Sequence, residues 1–155
     1  MAYIFPAVLA EDMETLQKLT RRQVEVLQSI GTLERPERGA PLNGIAARLQ
    51  VSAPSALGHV TPLEELGLVE RYRGKSRLTD RGRRTLVEYQ RHHRVVESLF
   101  SQVGLSPSET CAAAREIDLA ISHRTVEEVC RAQAHPATCP HGESIPACSS
   151  ERGGQ

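Results

Sequence analysis

The stretch from residue 42 to residue 79 constrains the fold of this chain more than any other. It contains two short helical patterns separated by a tight turn at residues 50–52, and β-type residues follow them. In the first pattern, Ile45, Ala46 and Leu49 put apolar side chains on one helical face. The pattern predicts a short helix that buries this face against the element after the turn.

The second helical pattern has a well-marked start and end. Ser52 is placed to cap the helix, and Pro54 falls in its first turn, where a missing backbone N–H costs nothing. Gly67 is placed to end it. Pro62 lies inside the helix, four residues after Gly58, which predicts a kink or an irregular turn near Gly58. The residues predicted to be buried recur at three- and four-residue spacing: Ala56, Val60, Leu63 and Leu66.

Two short β-type runs follow, at residues 68–72 and 76–79, and a basic turn that includes Gly74 joins them. Helix, turn, helix and basic hairpin is the order of a winged helix-turn-helix, whose second helix lies in a DNA major groove. We therefore predict a mainly α-helical protein in which a winged helix-turn-helix DNA-binding domain is followed by a helical domain.

The candidate DNA contacts fall into two groups, and each is also typical of an ordinary solvent-facing surface. Side chains early or outward on the second helix offer hydroxyls to phosphates and base edges and apolar groups to thymine methyls. These are Ser52, Pro54, Ser55, Leu57, Gly58, His59 and Thr61. The cations of the hairpin are predicted to contact phosphates, and they are Arg71, Arg73, Lys75 and Arg77. Because the outward face of the helix has no Arg or Asn, we expect modest direct base readout and more reliance on DNA shape.

The distribution of charge supports a DNA-binding part beside an acidic part. The 155 residues carry 19 Lys and Arg against 19 Asp and Glu, a net charge of zero. Residues 20–95 hold 14 of these cations against 8 of the anions, and the rest of the chain holds 5 against 11. This asymmetry is typical of a DNA-binding module joined to a part that binds cations.

No apolar run approaches the roughly 18 residues of a membrane helix. The N-terminus also has no basic region followed by a signal-type core. We therefore expect a cytoplasmic protein that does not contact a membrane.

We divide the chain into an N-terminal arm and winged-helix domain at residues 1–80 and a helical domain with an irregular tail at residues 81–155. The arm covers residues 1–19, and a capping box at Thr20–Gln23 opens the first helix of the winged domain. After the hairpin, a long helix carries an apolar seam of Leu86, Tyr89, His93, Val96 and Phe100. Two further helices are predicted, from Pro107 to about Ile121 and from Ser122 to about Ala134.

The helical domain carries two sets of candidate metal ligands. His93 and Glu97 are one helical turn apart, and Cys111 and Asp118 lie on the next predicted helix, although a histidine on an apolar seam is also typical of a core residue. The second set is the cysteines, for which a disulfide framework is the less favoured interpretation because there is no secretory signal. Four thiolates suit zinc or an iron–sulfur cluster. The alternative interpretation is that the cysteines are ordinary core or tail residues. They are Cys111, Cys130, Cys139 and Cys148.

Several segments resemble the diphtheria-toxin-repressor and manganese-transport-regulator (DtxR/MntR) family over roughly residues 20–148. They are Ser52-Ala53-Pro54-Ser55, Leu63 to Val69, Leu78-Thr79-Asp80-Arg81-Gly82, Arg91 to Glu97 and, most specifically, His135 to Pro146. The resemblance implies a dimeric, metal-responsive transcriptional regulator with a winged helix and a helical dimerisation and metal-binding domain. It also implies the short form of the family, without the SH3-like barrel of longer members.

The resemblance carries over the family's metal site only in part. His93 and Glu97 match its His and Glu on the long helix, Cys111 falls at a histidine ligand of the iron-type members, and Asp118 falls at a glutamate. Arg115 and Leu119 stand at two other ligand positions. In the first helix of the winged domain, Arg22 or Gln23 replaces an Asp or Met ligand, while Glu25 matches a carboxylate of the manganese-type site. A guanidinium repels a nearby cation, so we expect the usual primary site to be lost or rebuilt.

These observations predict a homodimeric transcriptional regulator, most simply a repressor, that binds double-stranded operator DNA in response to a metal. The cofactor is expected to be divalent iron or manganese, or an iron–sulfur cluster in a rebuilt site, with zinc as a further candidate. The alternative is a metal-independent winged-helix protein that binds DNA constitutively or responds to a small ligand. An enzyme is not predicted, because there is no Gly-rich phosphate loop and no nucleophile–base spacing.

Overall fold

The computed structural model describes residues 10–148, with side chains described from residue 14 onward. Within this range the chain forms seven α-helices and three β-strands. In chain order they are α1 (Ala10–Lys18), α2 (Arg21–Leu33), β1 (Ala40–Pro41), α3 (Leu42–Leu49), α4 (Ala53–Glu65), β2 (Val69–Tyr72), β3 (Lys75–Leu78), α5 (Asp80–Gln102), α6 (Pro107–Ile117) and α7 (His123–Ala132). Residues 1–9 of the predicted arm and the chain beyond Cys148 lie outside the described residues.

The described residues form two compact units. The winged unit is Leu19–Leu86, and the helical unit combines α1 with the residues from Val87 onward. The order of elements in the winged unit is that of a winged helix-turn-helix, and helices dominate the second unit. The predicted fold class is therefore confirmed. No helix among residues 10–148 is long and apolar enough to cross a membrane.

The local signals in the winged unit act as predicted. The Thr20 side chain accepts a hydrogen bond from the Gln23 backbone and the Gln23 side chain accepts one from the Thr20 backbone, which completes the capping box of α2. Ser52 caps α4 by accepting from the backbone N–H of Ser55. Gly67, with φ of +70°, follows the end of α4. The core of the unit is aliphatic, as the near absence of aromatic residues requires: Val24, Leu27, Ile30, Ile45, Ala56, Val60, Leu63, Leu68 and Leu78.

The sheet of the winged unit contains a strand that the sequence patterns do not indicate. Residues 40–41 form β1, which pairs antiparallel with β3 to give the sheet order β1-β3-β2. Two residues are too few for an alternating pattern, and an edge strand tolerates the missing N–H of Pro41.

Helix α4 contains Pro62 and stays helical from Ala53 to Glu65, so the predicted kink or irregular turn near Gly58 does not interrupt it. The prediction of a buried Leu66 is wrong: the side chain, at the end of the helix, is 41% exposed.

The helical unit is built on α5. Its predicted seam is buried at Leu86, Tyr89 and Val96, while His93 and Phe100 are half-buried. The second helix ends at Ile117 instead of about Ile121, with Asp118 at its C-cap. The last helix starts after Ser122, which accepts a hydrogen bond from the Thr125 backbone. A cluster of Val95, Val126, Cys130 and Cys148 forms the core, with Ile121, Val129 and Ile145 packed against it.

The close approach of Gly82 to the backbone at Leu68 yields a stability prediction for the winged unit. A Cβ at Gly82 would lie 2.0 Å from the Leu68 carbonyl oxygen, and neither backbone segment can yield like a flexible side chain. We expect Gly82→Ala to lower the free energy of unfolding by about 2–4 kcal/mol, measured by urea denaturation. Gly58→Ala is the matched control: nothing lies within 4 Å of its Cβ position, so it should raise stability by about 0.5–1 kcal/mol. Equal effects of the two substitutions would contradict this account.

Candidate metal centre and nucleic-acid interface

The residues predicted to read DNA on α4 are accessible in the winged unit. Ser52, Pro54, Ser55, Leu57 and Gly58 are exposed. His59 and Thr61 are half-buried, and the Thr61 hydroxyl donates to the Leu57 carbonyl oxygen at 2.9 Å. At the start of the helix, the Ser52 hydroxyl donates a hydrogen bond of 2.9 Å to the Ser55 hydroxyl. The N-terminal half of α4 therefore presents hydroxyl groups, the exposed Leu57 side chain and Gly58, which has no neighbour within 4 Å of its Cβ position.

The hairpin of β2 and β3 gathers the predicted cations on one short element. Its tight turn places Arg73 and Gly74 at φ of 50° and 73°, as an I′-type hairpin turn requires. Arg71, Arg73 and Lys75 are exposed, and Arg77 is half-buried. The Arg71 guanidinium bonds to the Glu64 carboxylate at 2.7 Å, so part of its charge is neutralised within the unit.

The side chain of Tyr72 adds an apolar surface to this basic hairpin. It is 70% exposed, and the Arg73 guanidinium stacks over its ring at 5.0 Å. An exposed aromatic ring beside arginine and lysine suits a surface that contacts a polyanion through both charge and packing.

The candidate metal centre lies in the helical unit, where α5 presents His93 and Glu97 toward Cys111 of α6. The His93 Nε2 atom is 3.3 Å from a Glu97 oxygen and 3.7 Å from the Cys111 sulfur. One donor atom from each residue lies within 4.8 Å of the others. Three sequence-predicted ligands are therefore brought together. Burial raises the pKa of the Cys111 thiol and the nearby Glu97 charge raises it further, so the thiol holds its proton unless a cation displaces it.

Asp118 lies on the opposite side of the His93 ring from that group. Its carboxylate is 2.9 Å from His93 Nδ1 and accepts a 3.0 Å hydrogen bond from the Tyr89 hydroxyl. An Nδ1–H that donates to a carboxylate leaves the Nε2 lone pair available to a metal and fixes the ring orientation. The position of Asp118 therefore suits a residue that orients His93 better than a direct ligand.

The tail completes the surroundings of Glu97. The carboxylate, only 2% exposed, is 3.2 Å from His141 Nδ1, and its oxygen, the Cys139 sulfur and a His141 nitrogen lie within 4.8 Å of one another. The Cys139 N–H donates a hydrogen bond to the Glu143 carbonyl at 2.9 Å, and the Arg94 guanidinium donates one to the Ser144 carbonyl, which together hold this turn. Glu97 is thus shared by two donor groups, one on α6 and one on the tail.

The four cysteines do not converge on one site. Cys111 lies beside His93, and Cys139 lies beside Glu97 and His141. Cys130 and Cys148 lie elsewhere, where both sulfurs approach the same nitrogen, Nδ1 of His135. The four-thiolate arrangement considered from the sequence is not assembled among residues 10–148. The reason is that Cys130 faces the core from α7, whereas Cys139 sits on the tail turn.

Three residues stand where the resemblance expects metal ligands, and the structure shows the surroundings of each. Arg22 pairs with Glu25 at 3.1 Å within the winged unit. On α6, the positive charge of Arg115 acts to lower the pKa of Cys111, against the larger effects that raise it. Leu119 is a half-buried residue just after α6.

Four histidines that the sequence patterns do not single out as ligands join titratable clusters: His92, His123, His135 and His141. His141 stands two residues from Cys139 in a Cys-Pro-His turn, and His92 lies four residues after Glu88 on one helix, so sequence spacing points to both. His123 and His135 each have one near partner, Glu127 four residues on and Cys130 five residues back. Their other partners, Glu88 and Cys148, come from more distant segments, and the sequence does not predict those contacts.

His123 belongs to a buried ionic cluster with Glu88, Arg91, His92 and Glu127. The Glu88 carboxylate is 2.6 Å from His123 Nδ1 and 3.3 Å from His92 Nε2. Arg91, fully buried, lies 2.8 Å from Glu127 and 3.6 Å from Glu88. Burial alone would raise the pKa of Glu88, but hydrogen bonds and charges from the two histidines outweigh it and hold the pKa well below its usual range. The buried guanidinium makes this cluster an ion-pair network and a poor cation site.

Comparisons with known proteins bear on both units. The iron dependent repressor, metal binding and dimerisation domain matches residues 79–147. Among solved structures, a hypothetical protein from Sulfolobus solfataricus is 29% identical with a TM-score of 0.77, covering 83% of this chain and 100% of that one. A manganese-dependent transcriptional repressor in complex with manganese is 29% identical with a TM-score of 0.68, covering 82% and 59%.

ScaR with bound Zn²⁺ is 26% identical with a TM-score of 0.67, covering 83% of this chain and 60% of that one. The chain thus spans about three fifths of the length of these two metal-bound relatives. Among curated proteins, none matches the sequence.

The buried cluster around Glu88 generates a pH-dependent stability prediction. Because the pKa of Glu88 is lowered on folding, its contribution is fully present above the unfolded value of about 4.3 and is lost as the pH falls below that value. We expect Glu88→Gln to lower the free energy of unfolding by about 3 kcal/mol at neutral pH, with a smaller difference at acid pH, measured by urea denaturation across that range.

Glu128→Gln is the matched control, since Glu128 forms an exposed pair with Arg124 and should change stability by less than about 1 kcal/mol. A Glu88→Gln protein as stable as the parent at neutral pH would contradict the network.

Proposed function

The chain belongs to the DtxR/MntR family of metal-dependent transcriptional regulators, and from this premise we propose that it is a homodimeric repressor that binds operator DNA in response to a divalent metal ion. The observation that carries the proposal is the group His93, Glu97 and Cys111, with Asp118 bonded to the far nitrogen of the histidine. A carboxylate behind a histidine is the usual support of a metal-bound imidazole.

The residues present fit a divalent ion. His93, Glu97 and Cys111 would hold it. Cys139 and His141 of the tail, whose donor atoms also lie near Glu97, would add further ligands. A bound dication would supply the positive charge that offsets a buried carboxylate and a thiolate. The thiol donors favour divalent iron over manganese, because sulfur ligands select softer ions and carboxylates suit manganese.

The donors come from three parts of the helical unit: α5, α6 and the tail. Joining them would hold these segments in one arrangement and thereby fix the surface through which two copies associate. In a dimeric winged-helix protein that surface sets the separation of the recognition helices, which must match half-sites about one turn of DNA apart. The dimer, its operator and the winged unit as the DNA-binding part are elements of this proposal.

The proposed DNA contacts are α4 and the hairpin of β2 and β3. The N-terminal residues of α4 would face base edges and phosphates, and the cations Arg73, Lys75 and Arg77 would contact phosphates, with Arg71 tied to Glu64. A surface of this kind gives affinity through charge and modest sequence readout through shape and methyl contacts.

An iron–sulfur cluster and a metal-independent regulator are the competing functions. A cluster ordinarily takes four cysteine thiolates at one place, and the distribution of the cysteines over residues 10–148 gives it less support than a mononuclear ion. Anaerobically purified protein should show no sulfide-to-iron absorption. A protein that binds DNA equally well with and without metal would favour the metal-independent alternative.

The metal response is tested by removing the shared carboxylate. Duplexes are selected from a random pool with the full chain and Fe²⁺ under anaerobic conditions, and affinity is then compared before and after chelation. We expect binding to be about 5- to 150-fold tighter with metal, and Glu97→Ala to abolish that difference. Glu116→Gln, an exposed acidic residue of α6, is the control and should retain it. Equal affinities with and without metal for the parent protein would end the proposal of a metal switch.

The wing is tested by the salt dependence of binding to non-specific duplex DNA. Removing one phosphate contact should lower the slope of log affinity against log salt by about 0.9 and weaken binding to all sequences alike. We expect this of Lys75→Ala, measured by fluorescence anisotropy. Arg124→Ala removes a cation that is 89% exposed on α7 and should leave the slope unchanged. An unchanged slope for Lys75→Ala would exclude a phosphate contact there.

A further inference from the structure

A further group of donor atoms in the helical unit lies apart from the metal centre around Glu97 and shares no residue with it. The Cys130 sulfur is 3.6 Å from His135 Nδ1, and the Cys148 sulfur is 3.4 Å from the same nitrogen. All three donor atoms lie within 4.8 Å of one another. Both sulfurs belong to side chains that are at most 3% exposed. We propose that Cys130, His135 and Cys148 form a zinc site that fastens the tail to α7.

The spacing of the three donors is that of a metal site. Zn–S and Zn–N bonds of about 2.3 and 2.05 Å at a tetrahedral angle place sulfur and nitrogen about 3.5 Å apart. The observed separations of 3.4 and 3.6 Å bracket this value. A zinc ion bonded to Nδ1 and to both sulfurs is compatible with these two separations, and a small ligand such as water would take its fourth position.

The backbone around His135 is arranged to bring its ring over Cys130. After α7 ends, Ala134 and His135 both adopt left-handed φ values, 56° and 55°. This conformation costs a non-glycine residue about 1–2 kcal/mol. The His135 N–H donates to the Cys130 carbonyl at 2.9 Å, which closes the turn. Strain of this kind persists where surrounding interactions compensate it, and coordination by two thiolates and the imidazole would do so.

Cys148 reaches the group from the far end of the tail. The tail turn at residues 137–145 is held by the Thr138–Ser144 bridge, by backbone hydrogen bonds from Cys139 to Glu143 and from Ile145 to Ala137, and by the Arg94 bond to the Ser144 carbonyl. Cys148 lies three residues beyond this turn. A metal that joins Cys148 to α7 would close this loop, as structural zinc does in small domains.

The chemistry of the group selects a softer ion than the centre at Glu97. Its donors are two thiols and one imidazole with no carboxylate. Apolar side chains of Val95, Val126 and Ile145 surround it, and the buried Arg91 guanidinium lies beside Cys130 and acts to lower the pKa of that thiol, against the larger effect of burial. Two thiolates neutralise a zinc dication, so the loaded site would add no net charge to the interior. The competing explanation is that both cysteines are ordinary small core residues, and the test must separate the two.

The experiment uses the full chain with Glu97→Ala, which removes the carboxylate common to both groups of the metal centre, and Co²⁺ as a spectroscopic probe for zinc. We expect about one tightly held ion per chain, with the intense visible bands of tetrahedral cobalt and a thiolate-to-cobalt charge-transfer band. Cys148→Val should lose the ion and both features. Cys148→His should keep the ion with a weaker charge-transfer band. Cys111→Ser, added to the Glu97→Ala protein, should leave the amount of bound cobalt and its spectrum unchanged, because Cys111 belongs to the other centre.

A Cys148→Val protein that keeps the ion and its spectrum, or a Glu97→Ala protein that binds no cobalt, would overturn the proposal. If Cys148→Val fails to fold, the thermal midpoint of Glu97→Ala protein decides: zinc should raise it and chelation lower it, whereas core cysteines predict no change. None of these readouts uses DNA, so failure of the zinc site and failure of the metal-responsive repressor are distinguishable.

Discussion

The arrangement of the helical unit depends on one buried carboxylate. Glu97 is 2% exposed, and one of its oxygens lies 3.3 Å from His93 Nε2 and 3.2 Å from His141 Nδ1. A charge removed from water at such a position is costly unless cations or donors surround it. That requirement draws α6 and the tail toward α5. It also makes the site suited to a dication, since a metal satisfies the carboxylate and displaces the Cys111 proton together.

The same helix concentrates several kinds of polar chemistry on its buried faces. Toward α7 it presents Glu88, Arg91 and His92, which pair with His123 and Glu127. One turn further on, it presents His93 and Glu97 to α6 and the tail. The first cluster contains a guanidinium and is an internal ion-pair network, whereas the second has donors without a buried cation. This difference in charge separates a structural cluster from a candidate metal centre on one helix.

The two proposed metal sites divide the tail between them. Cys139 and His141 face Glu97, while Cys148 reaches His135 at the end of α7. On this account coordination adds to the hydrogen bonds that hold the tail turn. The tail ligands of both sites would then lie in a segment of fourteen residues, 135–148, whose only regular pairing is one isolated bridge.

The sequence determined most of the elements, because their signals are local: the capping box at Thr20, the turn at Ser52, the glycine after α4 and the spacing of apolar residues. It also pointed to His93, Glu97 and Cys111 as candidate ligands by helical spacing and family resemblance. Tertiary structure alone decided the rest, because which segments meet is not a local property. It placed Asp118 behind His93, brought His141 to Glu97, separated the four cysteines, and brought Cys130 and Cys148 to one nitrogen of His135.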